Sequence, residues 1–288
     1  MNRVPAMTVL VTLALGAIPL HSQPQPPDAR SRPPTSQEAV DLLKAICPDR
    51  IRTQHSVSIY SYLACKGCPA HTTTGRLRRA SKTYFDLHTV IFGSFTAPGL
   101  EEAVADLYSC EEHTTTANFH SSVRLRKEPK GWRMISYERV ETSQCQTYRL
   151  PDGRDLLLCR GWTGHPDISA SWIFIYDFLP TASQLERDVF GAVNTWGACR
   201  SAAIAGPIDS YDLCDLDQDG MRDLRIYLSV IKGQASRESG VCAADFSPPP
   251  AENYHIDFLF KDDAFVVAPW SAETKRALDE LFNKANRF

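Results

Sequence analysis

Asp215-Leu-Asp217-Gln-Asp219-Gly220-Met221-Arg-Asp223-Leu224 places carboxylates at positions 1, 3, 5 and 9 of a loop, with glycine at position 6. Oxygen ligands at alternate positions can all turn into one centre. Glycine at position 6 lets the backbone reverse with φ > 0 and present the carbonyl of Met221 to that centre. Hard oxygen donors in this number suit calcium. An EF-hand loop would close with a bidentate Glu at position 12, which here is Ile226, so Asp223 at position 9 must supply the closing carboxylate. The plainer reading is a solvated acidic turn, since Asp and Gly are common in tight turns.

This nine-residue form, running directly into a strand, resembles the calcium loops of the FG-GAP and VCBS repeat families over Cys214 to Arg225. Those families occur in integrin-type β-propellers and many secreted bacterial proteins. The resemblance implies side-chain ligation by Asp215, Asp217, Asp219 and Asp223, backbone ligation by Met221, and one structural calcium ion. Laying Ser94 to Ala103 on the loop matches Gly99 at position 6, Glu102 at position 9 and apolar residues at positions 2 and 10, but positions 1, 3 and 5 carry no carboxylate. A third copy starts at Asp152-Gly153-Arg154-Asp155-Leu156, one residue short. Of the three, the Asp215 copy alone has the ligands for a metal. A full propeller needs several more blades, so the expectation is a propeller-like or partial arrangement.

Other constellations compete for chemistry. Cys65-Lys-Gly-Cys68 with Cys110 and His113 gives a ligand set for zinc, and Cys65 with Cys68 alone could be a redox dithiol; the bland reading is structural disulfides. No Gly-x-Ser-x-Gly turn and no His-Glu-x-x-His pair is present, and His55, His71, His88, His113, His120, His165 and His255 are scattered singly. Trp132, Trp162, Trp172, Trp196 and Trp270 read as sheet packing, although a carbohydrate-binding strip would use the same residue type.

The elements that must position the loop are mostly strands. Apolar runs of period two recur from Tyr84 to Ala268, punctuated by Glu128-Pro129-Lys130-Gly131, Pro151-Asp152-Gly153 and Lys261-Asp262-Asp263. Gly99 to Tyr108 is ambiguous, because Leu100, Ala103, Val104, Leu107 and Tyr108 would also line a helix; the match to the loop assigns it to a strand. Thr35 and Glu38 form a capping box for a helix with Ala39, Leu42, Leu43 and Ile46 on one face, and Pro48 ends it. Ser271 can cap a second helix carrying Leu278, Leu281, Phe282 and Ala285. The expected fold is therefore mainly β, antiparallel hairpins in degenerate FG-GAP-like units, with short N- and C-terminal helices.

The hairpin closed by Pro151-Asp152-Gly153, with Leu150 opposite Arg154, also places Cys145 opposite Cys159, within bridging distance. A second expected bridge joins Cys199 to Cys214 beside the acidic loop. The chain has 9 Cys, an odd number, so at least one is left over.

Export accounts for this cysteine usage. Asn2 and Arg3, the apolar stretch Thr8 to Leu20, and Leu20-His21-Ser22 read as a signal peptide cleaved after Ser22, with residues 23–35 a proline-rich spacer and 36–288 the β domain. The apolar stretch is well short of the roughly 20 residues of a membrane-spanning helix, and no integral membrane association is expected. A net charge of −3 without long basic runs makes nucleic acid an unexpected partner. The expectation is a secreted or periplasmic, non-catalytic, calcium-stabilised module for an extracellular protein or carbohydrate ligand, or a scaffold. The alternatives are a secreted hydrolase with a structural calcium, or a zinc or redox protein using Cys65, Cys68, Cys110 and His113.

Overall fold

The computed structural model describes residues 31–32, 34–48, 51–55, 61–66, 84–108, 120–138, 140–164, 168–179, 186–195, 203–233, 236–238, 241–243 and 250–286. The expected signal peptide and most of the spacer lie outside them. The fold is mainly antiparallel β with a helix near each end.

The chain enters through β1 (Ser31–Arg32) and α1 (Ser36–Ile46), whose start is fixed as the sequence predicts. Thr35 Oγ1 accepts the Glu38 N–H at 3.3 Å, and Glu38 Oε2 accepts the Thr35 N–H at 2.8 Å, which satisfies two otherwise unpaired donors. The helix presses Leu42, Leu43 and Ile46 onto a 7-stranded sheet. That sheet runs in sequential order through β2 (Ile51–His55), β3 (Ser61–Lys66), β4 (Tyr84–Gly93), β5 (Glu102–Tyr108), β6 (His120–Glu128) and β7 (Gly131–Glu138), with β1 also paired to β4. A disulfide from Cys47, at the C-cap of α1, to Cys65 on β3 ties helix to sheet. The ambiguous segment is strand β5, paired on both sides. Ala103, Ala105 and Leu107 pack in the core that holds α1, while Val104 packs in the core shared with the next sheet. Burial of both faces produces the near-continuous apolar run that also fits a helix.

A 4-stranded meander follows: β8 (Cys145–Arg149), β9 (Asp155–Gly164), β10 (Ser169–Tyr176) and β11 (Glu186–Asn194). Cys145 lies opposite Cys159 and is bonded to it, in the register the turn predicts. The third sheet is 5-stranded: β12 (Ala203–Ala205) and β13 (Ile208–Cys214) both pair with β14 (Asp223–Gly233), followed by β17 (Glu252–Lys261) and β18 (Ala264–Val267). A small hairpin of β15 (Ser236–Glu238) and β16 (Val241–Ala243) lies between β14 and β17 in sequence. The 3-10 turn Pro269–Ser271 leads into α2 (Ala272–Asn286), whose Leu278 and Phe282 join the core of the second and third sheets. Ser271 stands directly before α2, where the sequence places its cap, and its hydroxyl accepts the buried Asp257 N–H at 3.0 Å.

The three large sheets stack in series. Ile91, Phe95 and Val104 of the first meet Leu157, Cys159, Phe174, Tyr176 and Phe178 at one seam. Tyr148, Leu156, Leu158, Ile173 and Ile175 meet Leu224, Ile226, Leu228, Ile256, Phe258 and Phe260 at the other. The second sheet is thus buried on both faces. Among the described residues the sheets do not close into a barrel or a propeller.

Candidate metal centre

The acidic loop is the connection between β13 and β14, and Cys214 and Asp223 face each other at its base. Gln218 has φ 63° and Gly220 φ 87°, so the chain turns twice through the left-handed region within three residues. Asp215 Oδ2 accepts the Gly220 N–H at 3.1 Å, and Asp219 Oδ1 accepts the Met221 N–H at 2.8 Å. These bonds fold the loop inward.

Asp223 is 1 % exposed and works as a brace. Its Oδ2 accepts the Leu216 N–H at 2.8 Å, at the start of the loop, and its Oδ1 accepts the Phe260 N–H at 2.8 Å, on β17. Burial pushes its carboxyl above the ordinary carboxylate value, and the two amide donors oppose that shift. Asp215, Asp217 and Asp223 each bring a carboxylate oxygen within 4.8 Å of the other two. Like charges at that separation repel by about 1–3 kcal/mol per pair, depending on solvent screening. The basic group beside them is Lys261, with Nζ 3.5 Å from Asp217 Oδ2 and a side chain 50 % exposed. Asp219 does not join the three; its Oδ1 is turned to the Met221 amide. Met221 packs its side chain against the core shared by the second and third sheets.

The loop is anchored across that seam. Tyr148 on β8 donates its hydroxyl to the Arg222 carbonyl at 2.5 Å, and the Arg222 guanidinium lies 5.5 Å from the Tyr148 ring centre. Tyr148 also stacks with Phe260 at 4.6 Å between centroids. Its sequence signal is only an aromatic in a strand, so its role at the loop was not legible beforehand.

The same position recurs in the other sheets. The β4–β5 connection turns on Gly99 (φ 75°) and the β8–β9 connection on Gly153 (φ 86°), as β13–β14 turns on Gly220. Each is followed by a buried carboxylate: Glu102 and Asp155 at 0 % exposure, Asp223 at 1 %. Glu102 accepts the Thr96 N–H and Oγ1–H at 2.8 and 2.9 Å. Asp155 Oδ2 accepts the Ser94 N–H at 2.7 Å, across the seam between the first and second sheets.

Two cysteine expectations change. Cys214 is a free thiol, so the Cys199–Cys214 bridge is not formed; Cys199 itself lies outside the described residues. Cys214 pairs in register with Asp223, and burial raises its pKa, leaving a protonated thiol beside the loop. Cys65 is bonded to Cys47, which withdraws it from the zinc set and from a dithiol with Cys68; Cys68, Cys110 and His113 lie outside the described residues. Both disulfides are of the kind that persists in oxidising compartments. Among the described residues no helix is long and apolar enough to cross a membrane. In comparisons with known proteins, the chain matches no family model, no curated sequence and no solved structure, so its site must be read from its own geometry.

Proposed function

We propose that this chain is an exported, non-catalytic β protein of degenerate FG-GAP-like units in a partial-propeller arrangement. In this reading one calcium ion is held by Asp215, Asp217, Asp219, Asp223 and the backbone of Met221, and the protein serves as a binding, adhesion or scaffold module. The observation that carries the reading is the convergence of three carboxylates within 4.8 Å on a hairpin already turned at Gln218 and Gly220. One half-exposed lysine offsets only part of that charge, and a divalent ion with oxygen ligands would offset the rest. The export part draws support from the disulfides Cys47–Cys65 and Cys145–Cys159.

A bound ion adds stability without entering a reaction. Weak extracellular calcium sites have dissociation constants of roughly 10⁻⁴–10⁻³ M, and partial saturation at millimolar calcium adds about 1–2 kcal/mol. For a chain of this size that corresponds to a Tm rise of about 2–8 °C over chelator-treated protein. Asp215→Asn with Asp217→Asn should abolish the difference, and magnesium should substitute poorly because it demands a tighter octahedral shell. Identical melting curves for metal-free and calcium-loaded protein would leave an acidic turn.

A further inference from the structure

We infer that Arg126 and Arg149 are built-in cations that close the first two hairpin loops as an external cation closes the third. In the first sheet, Arg126 on β6 lies directly opposite Glu102 in register. Its Nη2 donates to Glu102 Oε1 at 3.0 Å and to Thr96 Oγ1 at 2.8 Å, and its Nε donates to the same carboxylate at 3.2 Å. When Ser94 to Glu102 are laid on Asp215 to Asp223, Thr96 falls on Asp217 and Glu102 on Asp223. One guanidinium therefore bridges the positions whose carboxylates converge in the third loop. In the second sheet, Arg149 reaches Asp155 with Nε to Oδ1 at 2.6 Å and Nη2 to Oδ2 at 3.1 Å, while its Nη1 donates to the Gly153 carbonyl at 3.1 Å. A carboxylate and a backbone carbonyl from one turn are gathered by one planar cation, which suits guanidinium better than a point charge.

Each of the first two loops meets its buried carboxylate with an arginine; in the second, Arg154 also pairs with Asp152 of the turn and with the buried Asp177. In the third, the carboxylates of Asp215, Asp217 and Asp223 converge with Lys261 beside Asp217. The Arg126 and Arg149 side chains are 30 % and 41 % exposed, but both carboxylates are 0 % exposed, so removing the arginine takes a charge-balancing cation from a buried carboxylate that keeps its other hydrogen bonds. The inference rests on reading the three loops as copies of one unit and not on the identity of the ion in the third, and its test is run in excess chelator.

Arg126→Ala and Arg149→Ala are melted beside Arg133→Ala, a control at an exposed pair with Glu128 whose side chains are 57 % and 37 % exposed. The two loop variants should melt at least about 5 °C below the wild type and the control within about 1 °C of it. Neutralising the facing carboxylate, in Arg126→Ala with Glu102→Gln and in Arg149→Ala with Asp155→Asn, should recover more than half of each loss. Millimolar methylguanidinium should partly rescue the single variants, and equal sodium chloride should not. Loop variants that melt with the wild type would overturn the inference, as would double variants whose losses are the sum of the singles. Should a single variant not fold, the double decides: folded protein supports the built-in cation and unfolded protein refutes it.

Discussion

At the residue scale, the acids of the loop divide by what else they hold. Asp223 braces two backbone amides and is buried, whereas Asp215 holds one amide, that of Gly220, Asp217 faces the half-exposed Lys261, and both add charge near Asp223. In chelator, Asp217→Asn should therefore raise Tm slightly, because it removes repulsion. Asp223→Ala should lower stability by about 1–3 kcal/mol with or without calcium, because it orphans the Leu216 and Phe260 amides. Opposite responses of the two variants are the measurement; a rise in both would mean the brace contributes nothing. Asp257 shows another balance. Burial raises its carboxyl, but bidentate bonds from Arg225 at 2.6 and 2.9 Å and the Trp270 indole at 2.8 Å bring it below the ordinary value. A carboxyl lowered on folding contributes stability above its unfolded pKa, and that contribution is lost as pH falls through its folded pKa. Asp257→Asn should cost about 2–3 kcal/mol at pH 7, discounted for the partly exposed arginine, and the gap to wild type should close below about pH 4. A gap unchanged between pH 6 and pH 3 would remove the ion pair as its cause.

At the element scale, the hairpins are set by short-range chemistry. The disulfide between Cys145 and Cys159 spans a sequence separation of 14 and joins residues already opposed across β8 and β9. Chain entropy assigns about 3 kcal/mol to a loop of that size, less whatever hairpin the unfolded chain retains. The double Cys→Ala variant should melt about 4–10 °C lower, and an unchanged Tm would mean the bridge only decorates the hairpin. Gly220 isolates the backbone contribution of the metal loop. A Cβ there meets nothing within 4 Å, yet φ is 87°, so Gly220→Ala should cost about 1 kcal/mol from backbone strain alone. Gly161 is the reverse case, since a Cβ would come within 2.3 Å of the Trp172 ring. The first glycine was legible as a turn residue; the second was not, because the clash belongs to a cross-strand neighbour.

At the scale of the whole molecule, the second sheet is the interior layer, and its β9 reads as an unbroken buried run from Asp155 to Cys159. Amides of β9 and β10 should exchange most slowly with solvent, because exposing them requires separating both seams. If the β14 and β17 amides outlast them, the stack does not unfold from its outer layers inward. The sequence by itself determined what is local. Its capping box set the start of α1, its turn residues set the strand boundaries and the Cys145–Cys159 register, and the spacing of four Asp around Gly220 marked the loop, all through interactions within a few residues. Tertiary structure decided what depends on distant partners. The Tyr148 anchor on Arg222 joins residues 74 apart in sequence, and the Cys47–Cys65 bond, the free Cys214 thiol and the pairing of Arg126 with Glu102 depend on which element packs or pairs beside which, which no local spacing states. The serial stacking of sheets has the same origin, because an apolar face states that it must be covered and leaves open which sheet covers it.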